Sequence, residues 1–316
     1  MIRDIIPDIH GQADKLTELL SKLGYRETRG TWRHPEPGRS VVFLGDFIDR
    51  GPENARGLHI VRSMIDVGHA QEIMGNHELN AIHFHTRHSS TGLPLRAHNA
   101  KNLKQHARFL DGHPVDSDAA RDAIAWMKTL PLWLEFPEFR VIHACWDRRA
   151  MVGAERHLND ARLDDQAVEW SADPDHPHFQ AVEVLAKGPE AQLPDGTTFT
   201  DKDGHERPEI RMAWWKTDAR TWQDIAICVP DPEAQLPAGA LTADIGYEPY
   251  PADAKPVFFG HYWLNGEIVL QAPNALCLDY SAGKEGPLVA YSFQEGARKL
   301  DLGNVAVGWP QADNEI

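Results

Sequence analysis

The sequence predicts an α/β fold, on three observations. Short apolar runs alternate with helix-patterned segments over residues 1–80, polar Asp, Asn and His residues follow those runs, and further apolar runs return after residue 255. A β-α-β-α-β order of this kind builds a parallel sheet with right-handed crossovers. The chain has 316 residues, 42% hydrophobic and 25% charged, which suffices for a packed core and excludes global disorder.

The elements follow in order. Residues 2–6 read as a buried strand ending at Pro7. Leu16, Leu19, Leu20 and Leu23 then recur at the spacing of one helix face, with Asp14 as the expected N-cap and Gly24 as the stop. Residues 40–44 form the second strand. A helix over 53–67 follows, with Leu58, Val61 and Ile65 on one face, and Gly68 ends it before a third strand at 70–74. The segment 79–135 is mainly helical, with helices expected at 100–111 and 117–130, the latter stopped by Pro131. Residues 139–144 are a further strand. Residues 147–255 are rich in Pro, Gly and Asp, with a weak helical patch at 152–170, and read as an insertion or cap on a single domain spanning 1–316. Strands resume at 257–259, 275–278 and 288–293, expected as hairpin-linked strands of a second sheet. A hexapeptide, PEAQLP, occurs at 189–194 and again at 232–237; with unlike flanks the two copies are coincidence or twin turns, not a repeat architecture.

Charge and composition exclude several function classes. Lys and Arg number 32 against 47 Asp and Glu, a formal net charge of −15, which opposes coating of DNA or RNA but leaves room for a local cationic pocket. No apolar run approaches the ~20 residues that span a bilayer, and the N-terminus MIRDIIPDIH lacks the form of a signal peptide. The 3 cysteines, Cys145, Cys228 and Cys277, are too scattered for a disulfide framework, so a reducing, cytoplasmic setting is expected.

The chemistry lies where strands end. Asp8 and His10 follow the first strand; Asp46, Asp49 and Arg50 follow the second; Asn76, His77 and Glu78 follow the third. His143 closes the strand at 139–144, and His261 follows Val257–Phe259. In open α/β sheets ligands gather at the carboxyl ends of strands, so these loops converge on one crevice. Oxygen and imidazole donors without thiolates suit Mn, Fe or Zn better than Ca, and one carboxylate can bridge two ions. Two ions ~3.5–4 Å apart clamp the attacking and leaving oxygens of an in-line phosphoryl displacement. Each residue alone reads more simply as a cap or surface turn; five such motifs in this order do not.

This ordered set resembles the calcineurin-like metallophosphoesterases, in particular the phosphoprotein-phosphatase branch. PDIHG, GDFIDRG and GNHE stand where the branch carries GDxHG, GDxxDRG and GNHE, and Gly260-His261-Tyr262 comes late in the chain. Within the branch the chain is similar to bacterial serine/threonine-type phosphatases, diadenosine-tetraphosphate hydrolases and polynucleotide-end phosphatases. The resemblance covers 1–80, 130–146 and 256–295, and departs at Pro7, where the branch has Gly. It implies a four-layer α/β/β/α sandwich of two mixed sheets flanked by helices, with a dimetal site at the strand ends. Asp8 and His10 would hold the first metal, Asp46 would bridge both, and Asn76, His143 and His261 would complete the second metal's shell. His77 would be the general acid, oriented by Asp49, with Arg50 on the phosphate. For the second phosphate-binding arginine the candidate is Arg211, in EIRMAWW, with Arg207 behind it. Asp279 would position the last histidine loop and Tyr280 would touch the phosphate.

The implied reaction is hydrolysis of a phosphomonoester, on a serine/threonine-type phosphoprotein or a small phosphoester, by in-line attack of a metal-bridging hydroxide. The cofactors would be two divalent ions, Mn foremost, with Fe or Zn as substitutes. The alternative substrate is a dinucleoside polyphosphate, and a more remote alternative is a non-catalytic phosphate-binding regulator. Other residues take plainer readings. His83, His85 and His88 lie outside the motifs; His176 and His178 read as a solvated loop; Cys145 reads as a small buried residue. Trp126, Trp133, Trp146, Trp214, Trp215 and Trp263 read as core, with Trp146 and Trp263 as alternative cleft walls. In the nucleotide alternative, Trp214 and Trp215 are candidates to stack a base.

Overall fold

The computed structural model of the chain describes residues 1–202, 204–241 and 248–308. Strand Ile2–Ile6 pairs in parallel with Arg39–Phe43, which pairs in parallel with Ala70–Glu72, while helices Ala13–Lys22 and Asn54–Asp66 make the crossovers. The full sheet has five strands in the order Val305–Gly308, Leu288–Gln294, Ile2–Ile6, Arg39–Phe43, Ala70–Glu72. A second sheet of four strands runs Ala275–Cys277, Val257–Phe259, Arg140–Ile142, Trp133–Glu135.

Alternation along each strand sorts the side chains into layers. Ile5, Val42, Val141, Phe258, Leu276 and Tyr291 meet between the sheets in one apolar core. On the outer face of the first sheet, Ile6, Val41 and Phe43 receive Leu16, Leu19, Leu58 and Val61 from the two crossover helices. On the outer face of the second, Ile142, Val257, Phe259 and Cys277 belong to the same apolar cluster as Met151, Leu185 and Trp214. The result is the four-layer sandwich, with both sheets mixed in direction.

Several local expectations need correction. Val257–Phe259 and Ala275–Cys277 are parallel neighbours, and Leu288–Gln294 leaves the second sheet to pair antiparallel with Ile2–Ile6 in the first. Continuous apolar runs show that strands are buried but carry no record of direction or partner, and that is why the hairpin expectation failed. Asp14 is not the N-cap of its helix. Gln12 occupies that position, Asp14 lies in the first turn, and the Asp14 N–H donates to Glu53 Oε2 at 3.1 Å. A hairpin of Arg26–Thr28 with Thr31–Arg33 is additional, as is the helix Asn76–His85 that begins inside the GNHE motif. The two PEAQLP copies are unlike: one contains strand Glu190–Gln192, the other helix Pro232–Gln235.

Within 147–255, helices Arg148–Glu155, Asp165–Trp170 and Pro177–Lys187 put Met151, Val168 and Leu185 into the main core. Beyond them, Glu190–Gln192, Glu209–Met212 and Ala226–Ile227 form an antiparallel sheet, beside the hairpin Phe199–Thr200 with Glu206–Arg207. Leu193, Phe199, Ile210, Trp222 and Leu236 give this part a small core of its own. Residues 203, 242–247 and 309–316 lie outside the described residues. Among those described, no helix is long and apolar enough to cross a membrane.

Candidate dinuclear metal centre

The carboxyl ends of the parallel strands deliver the polar loops to one place. Asp46 is the hub: its Oδ1 lies 3.4 Å from His143 Nε2, and its Oδ2 lies 3.6 Å from His10 Nε2 and 3.9 Å from His77 Nε2. Two sets of donors therefore share this carboxylate, His10, Asp46 and His77 in one and Asp46, His143 and His261 in the other, each set gathered within 4.8 Å. Asn76 Oδ1 joins the second set, 2.8 Å from His261 Nδ1 and 3.2 Å from His143 Nε2. Asp8 joins from the first strand, with Oδ2 3.8 Å from His10 Nε2, and it accepts the His261 N–H at 3.1 Å. Pro7 thus leaves Asp8 in the cluster.

Backbone carbonyls set the imidazole orientations. His10 Nδ1 donates to the Ile48 carbonyl at 3.1 Å and His143 Nδ1 to the Leu44 carbonyl at 2.8 Å, which turns each Nε2 toward Asp46. His10 Nε2 and His261 Nε2 are buried with no hydrogen-bond partner. Buried nitrogens without partners, facing shared carboxylates, fit divalent cations, and the donor set suits Mn, Fe or Zn. Burial and the neighbouring His77 lower the His10 pKa to about 3, which keeps the imidazole neutral as a ligand must be. Burial opposes charge on His143, yet the Asp46 and Asp8 carboxylates raise its pKa to about 10.

The glycines and backbone angles of the motifs follow from this crowding. A Cβ at Gly260 would collide with the Asp8 carboxylate, and one at Gly75 with Asp46. His10, Asp46, Asp49, Arg50, His261 and Trp263 all hold left-handed backbone conformations, with φ between 49° and 73°. Strain of this kind persists only where surrounding contacts over-determine it. Glu78 supplies some of them. Its carboxylate accepts the N–H groups of Asp46 at 2.7 Å, Phe47 at 2.8 Å and Gly75 at 3.1 Å. Asn54 holds the next turn, accepting the Asp49 N–H and donating to the Gly51 carbonyl at 2.8 Å. Asp279 accepts the Trp263 N–H at 2.7 Å and so holds the His261 loop, as expected.

Asp49 receives two imidazoles. Its Oδ2 lies 2.6 Å from His77 Nδ1 and its Oδ1 2.9 Å from His106 Nδ1. Burial works against its charge, but hydrogen bonds from His106 and His77 hold its pKa down to about 2. Sequence reasoning missed His106; the available signal was its place in helix Ala100–Gly112 on the same face as the buried Phe109. His106 Nε2 in turn lies 3.3 Å from His85 Nε2.

Arg50 and Arg211 line one cavity of about 340 Å³ beside the cluster, together with Arg207 and Trp263. Trp263 stacks on His10 at 5.0 Å, so its reading as a cleft wall is the better one. Trp146 is buried under Arg140 and does not line the cavity. Trp214 and Trp215 are buried, and Trp214 Nε1 donates to the Ala144 carbonyl at 2.9 Å, so neither is available to a base. The Tyr280 hydroxyl accepts the Val269 N–H at 3.1 Å and its ring packs between the sheets, away from the expected phosphate contact. His178 is not solvated: it is buried against Trp170 and His157. His83 Nε2 is 2.9 Å from Ser171 Oγ and belongs to neither donor set.

Comparison with known proteins adds a family likeness over the first half of the chain. Residues 4–146 match the family model described as calcineurin-like phosphoesterase. Over that stretch, a little under half of its length, the chain is similar to the calcineurin-like phosphoesterases. Over 74 residues the chain is 45% identical to the asymmetrical bis(5'-nucleosyl)-tetraphosphatase PrpE of Halalkalibacterium halodurans, covering 23% of this chain and 30% of that protein. Over 196 residues it is 28% identical to the symmetrical bis(5'-nucleosyl)-tetraphosphatase of Vibrio cholerae, covering 58% of this chain and 64% of the relative. The match therefore spans about a third of the PrpE relatives' length. A solved structure of a cold-active protein tyrosine phosphatase is 18% identical with a TM-score of 0.49, over 92% of this chain and 73% of that one.

Proposed function

We propose that the chain is a dimetal-dependent phosphohydrolase that cleaves a phosphoanhydride bond of a dinucleoside polyphosphate. The observation that carries the reaction class is the Asp46 carboxylate, shared by two buried donor sets beside the Asp49–His77 pair and facing partnerless imidazole nitrogens. Asp8, His10 and Asp46 would hold one cation, and Asp46, Asn76, His143 and His261 the other. Bound there, the two cations would acidify a water and offset charge on the phosphoryl oxygens.

The remaining work falls to this chain's own side chains. Arg50 would offer its guanidinium to the phosphoryl oxygens, with Arg211 lining the same cavity as a second donor. Asp49 occupies His77 Nδ1, so the proton at His77 Nε2 is the one presented to the leaving oxygen. Water attacks phosphorus, the bond to the leaving oxygen breaks, and His77 delivers its proton to that oxygen. The anhydride is preferred over the phosphomonoester reading because relatives matched at 45% identity over 74 residues and 28% over 196 residues are bis(5'-nucleosyl)-tetraphosphatases. Residues 147–255 would act as the cap on a single domain.

The test is manganese-supported turnover on diadenosine tetraphosphate, a phosphoserine peptide and an aryl phosphate side by side, with Asp46→Asn as the blank. The dinucleotide should be preferred. Preference for the two monoesters would restore the phosphatase reading, and silence on all three with metal bound would leave only a phosphate-binding regulator.

A further inference from the structure

The chain carries a formal charge of −15, yet the cavity beside the candidate centre is lined by five cationic side chains, Arg50, Lys202, Arg207, Arg211 and Lys284, against three carboxylates. Two of those carboxylates are engaged: Asp201 pairs with Arg207 at 2.8 Å and Glu190 approaches Arg211 at 3.7 Å. Among the described residues, Arg50, Lys202 and Lys284 have no carboxylate within ion-pair distance. Like charges gathered in one cleft repel each other and concentrate anions there.

The two walls are built independently. Arg50, Trp263 and Lys284 come from the loops of the sandwich. Lys15 pins the loop that carries Lys284, donating from Nζ to the carbonyls of Ala282 at 2.9 Å, Lys284 at 2.7 Å and Gly286 at 2.8 Å. The Trp263 ring has the Arg50 guanidinium at 5.2 Å and the Lys284 ammonium at 5.4 Å, and it also stacks on His10, so it joins the cavity to the metal cluster. The insertion supplies the other wall through Phe199, Lys202, Arg207 and Arg211. At about 340 Å³ the cavity falls within the ~300–1,000 Å³ usual for small-molecule sites and is larger than one phosphoryl group requires. A single phosphate beside His77 is served by Arg50 and Arg211. Lys202 and Lys284, which have no carboxylate partner among the described residues, and Arg207, shared with Asp201, add cationic charge beyond what one phosphate uses and suit a ligand with several negative charges in a row.

We infer that this cavity is the subsite for the non-scissile polyphosphate arm of the substrate, a linear run of phosphates held between Arg50 and Lys284 on one wall and Lys202, Arg207 and Arg211 on the other. The inference rests on the phosphoanhydride reading above and adds where the rest of the substrate lies. A phosphopeptide presents one phosphate on a chain of lower charge density and leaves the insertion wall unmatched.

The experiment uses the full chain with Mn²⁺. Inorganic orthophosphate and tripolyphosphate compete against aryl phosphate turnover, and diadenosine tetraphosphate and a phosphoserine peptide serve as substrates. Tripolyphosphate should inhibit roughly tenfold more tightly than orthophosphate, with an advantage that shrinks as salt rises. In the double variant Lys202→Ala/Arg207→Ala, that inhibition ratio should fall by roughly fivefold or more, along with the kcat/KM ratio of dinucleotide to aryl phosphate. Lys284→Ala, from the opposite wall, should move both ratios the same way, which separates loss of charge from misfolding of the insertion. Ratios unmoved in both variants overturn the inference and leave the phosphoanhydride reading standing. Wild-type enzyme that turns over the aryl phosphate and the phosphopeptide but not the dinucleotide overturns both. Variants that lower only the phosphopeptide ratio give the cavity to peptides instead, and overturn it as a polyphosphate subsite.

Discussion

Replacement of His77 by Asn separates two roles that the geometry allows this residue. His77 is buried, its Nδ1 lies 2.6 Å from Asp49 Oδ2, and its Nε2 lies 3.9 Å from Asp46 Oδ2, close enough to the first donor set to serve as a ligand or as the acid. A positioned general acid is worth ~10²–10⁴ in rate, which at ~1.36 kcal/mol per tenfold is about 2.7–5.5 kcal/mol of transition-state stabilisation. That stabilisation scales with how much the leaving oxygen needs a proton. A phenolate of low pKa departs nearly unaided, whereas a nucleotide or alkoxide does not. His77→Asn should therefore keep the wild-type manganese content, lose ~10²–10⁴ on poor leaving groups, and lose far less on activated aryl phosphates. The assay is kcat on a series of aryl phosphates of graded leaving-group pKa, with metal content by mass spectrometry. A uniform loss across the series would refute the acid assignment, and loss of metal would make His77 a ligand.

Three other outcomes are expected. His106→Phe keeps the ring stacked on Phe109 but removes the donor to Asp49 Oδ1, a buried charge-assisted bond worth ~1.5–3 kcal/mol. It should lower kcat on poor leaving groups more than on aryl phosphates, and an unchanged leaving-group slope would make His106 structural only. Glu78→Gln sets an amide NH₂ against at least one of three backbone N–H donors, and should cost ~1–3 kcal/mol in urea unfolding with an unchanged m value, plus weaker metal binding by calorimetry. Burial raises the Glu72 carboxyl from 4.5 to about 7, so the native state holds the extra proton between those values. Stability should accordingly decline with rising pH across that window, by up to ~1.4 kcal/mol per pH unit, and level off above it. Glu72→Gln should flatten the profile, and an unchanged profile would place the titration elsewhere.

Much of the fold and the candidate site was legible because it is written locally. The leucine spacing of Ala13–Lys22 and the apolar runs at Ile2–Ile6 and Arg39–Phe43 reflect periods of a few residues, and each polar motif follows its strand directly in the chain. Asp8, His10, Asp46, Asn76, His143 and His261 come together because parallel strands point their carboxyl ends one way. Where chemistry depended on a neighbour distant in sequence, local pattern was silent. His106 reaches Asp49 across 57 positions, and Lys15 reaches Lys284 across 269. The same limit misplaced Tyr280 and the exposure of His178, whose surroundings come from other elements.

The sequence alone therefore determined the fold class, the order of the motif loops and the donor types available to a cation, since all three follow from short-range periodicity and residue chemistry. Only the tertiary structure decided that Asp46 serves two donor sets and that Asp49 carries a second imidazole. It also decided that Trp263, rather than Trp214 or Trp215, lines the cavity, and that Arg207 and Arg211 line the same cavity as Arg50. Those outcomes depend on which surfaces pack together after the chain folds. Packing is a long-range consequence of burying the two sheets and their helices, and no short stretch of sequence contains it.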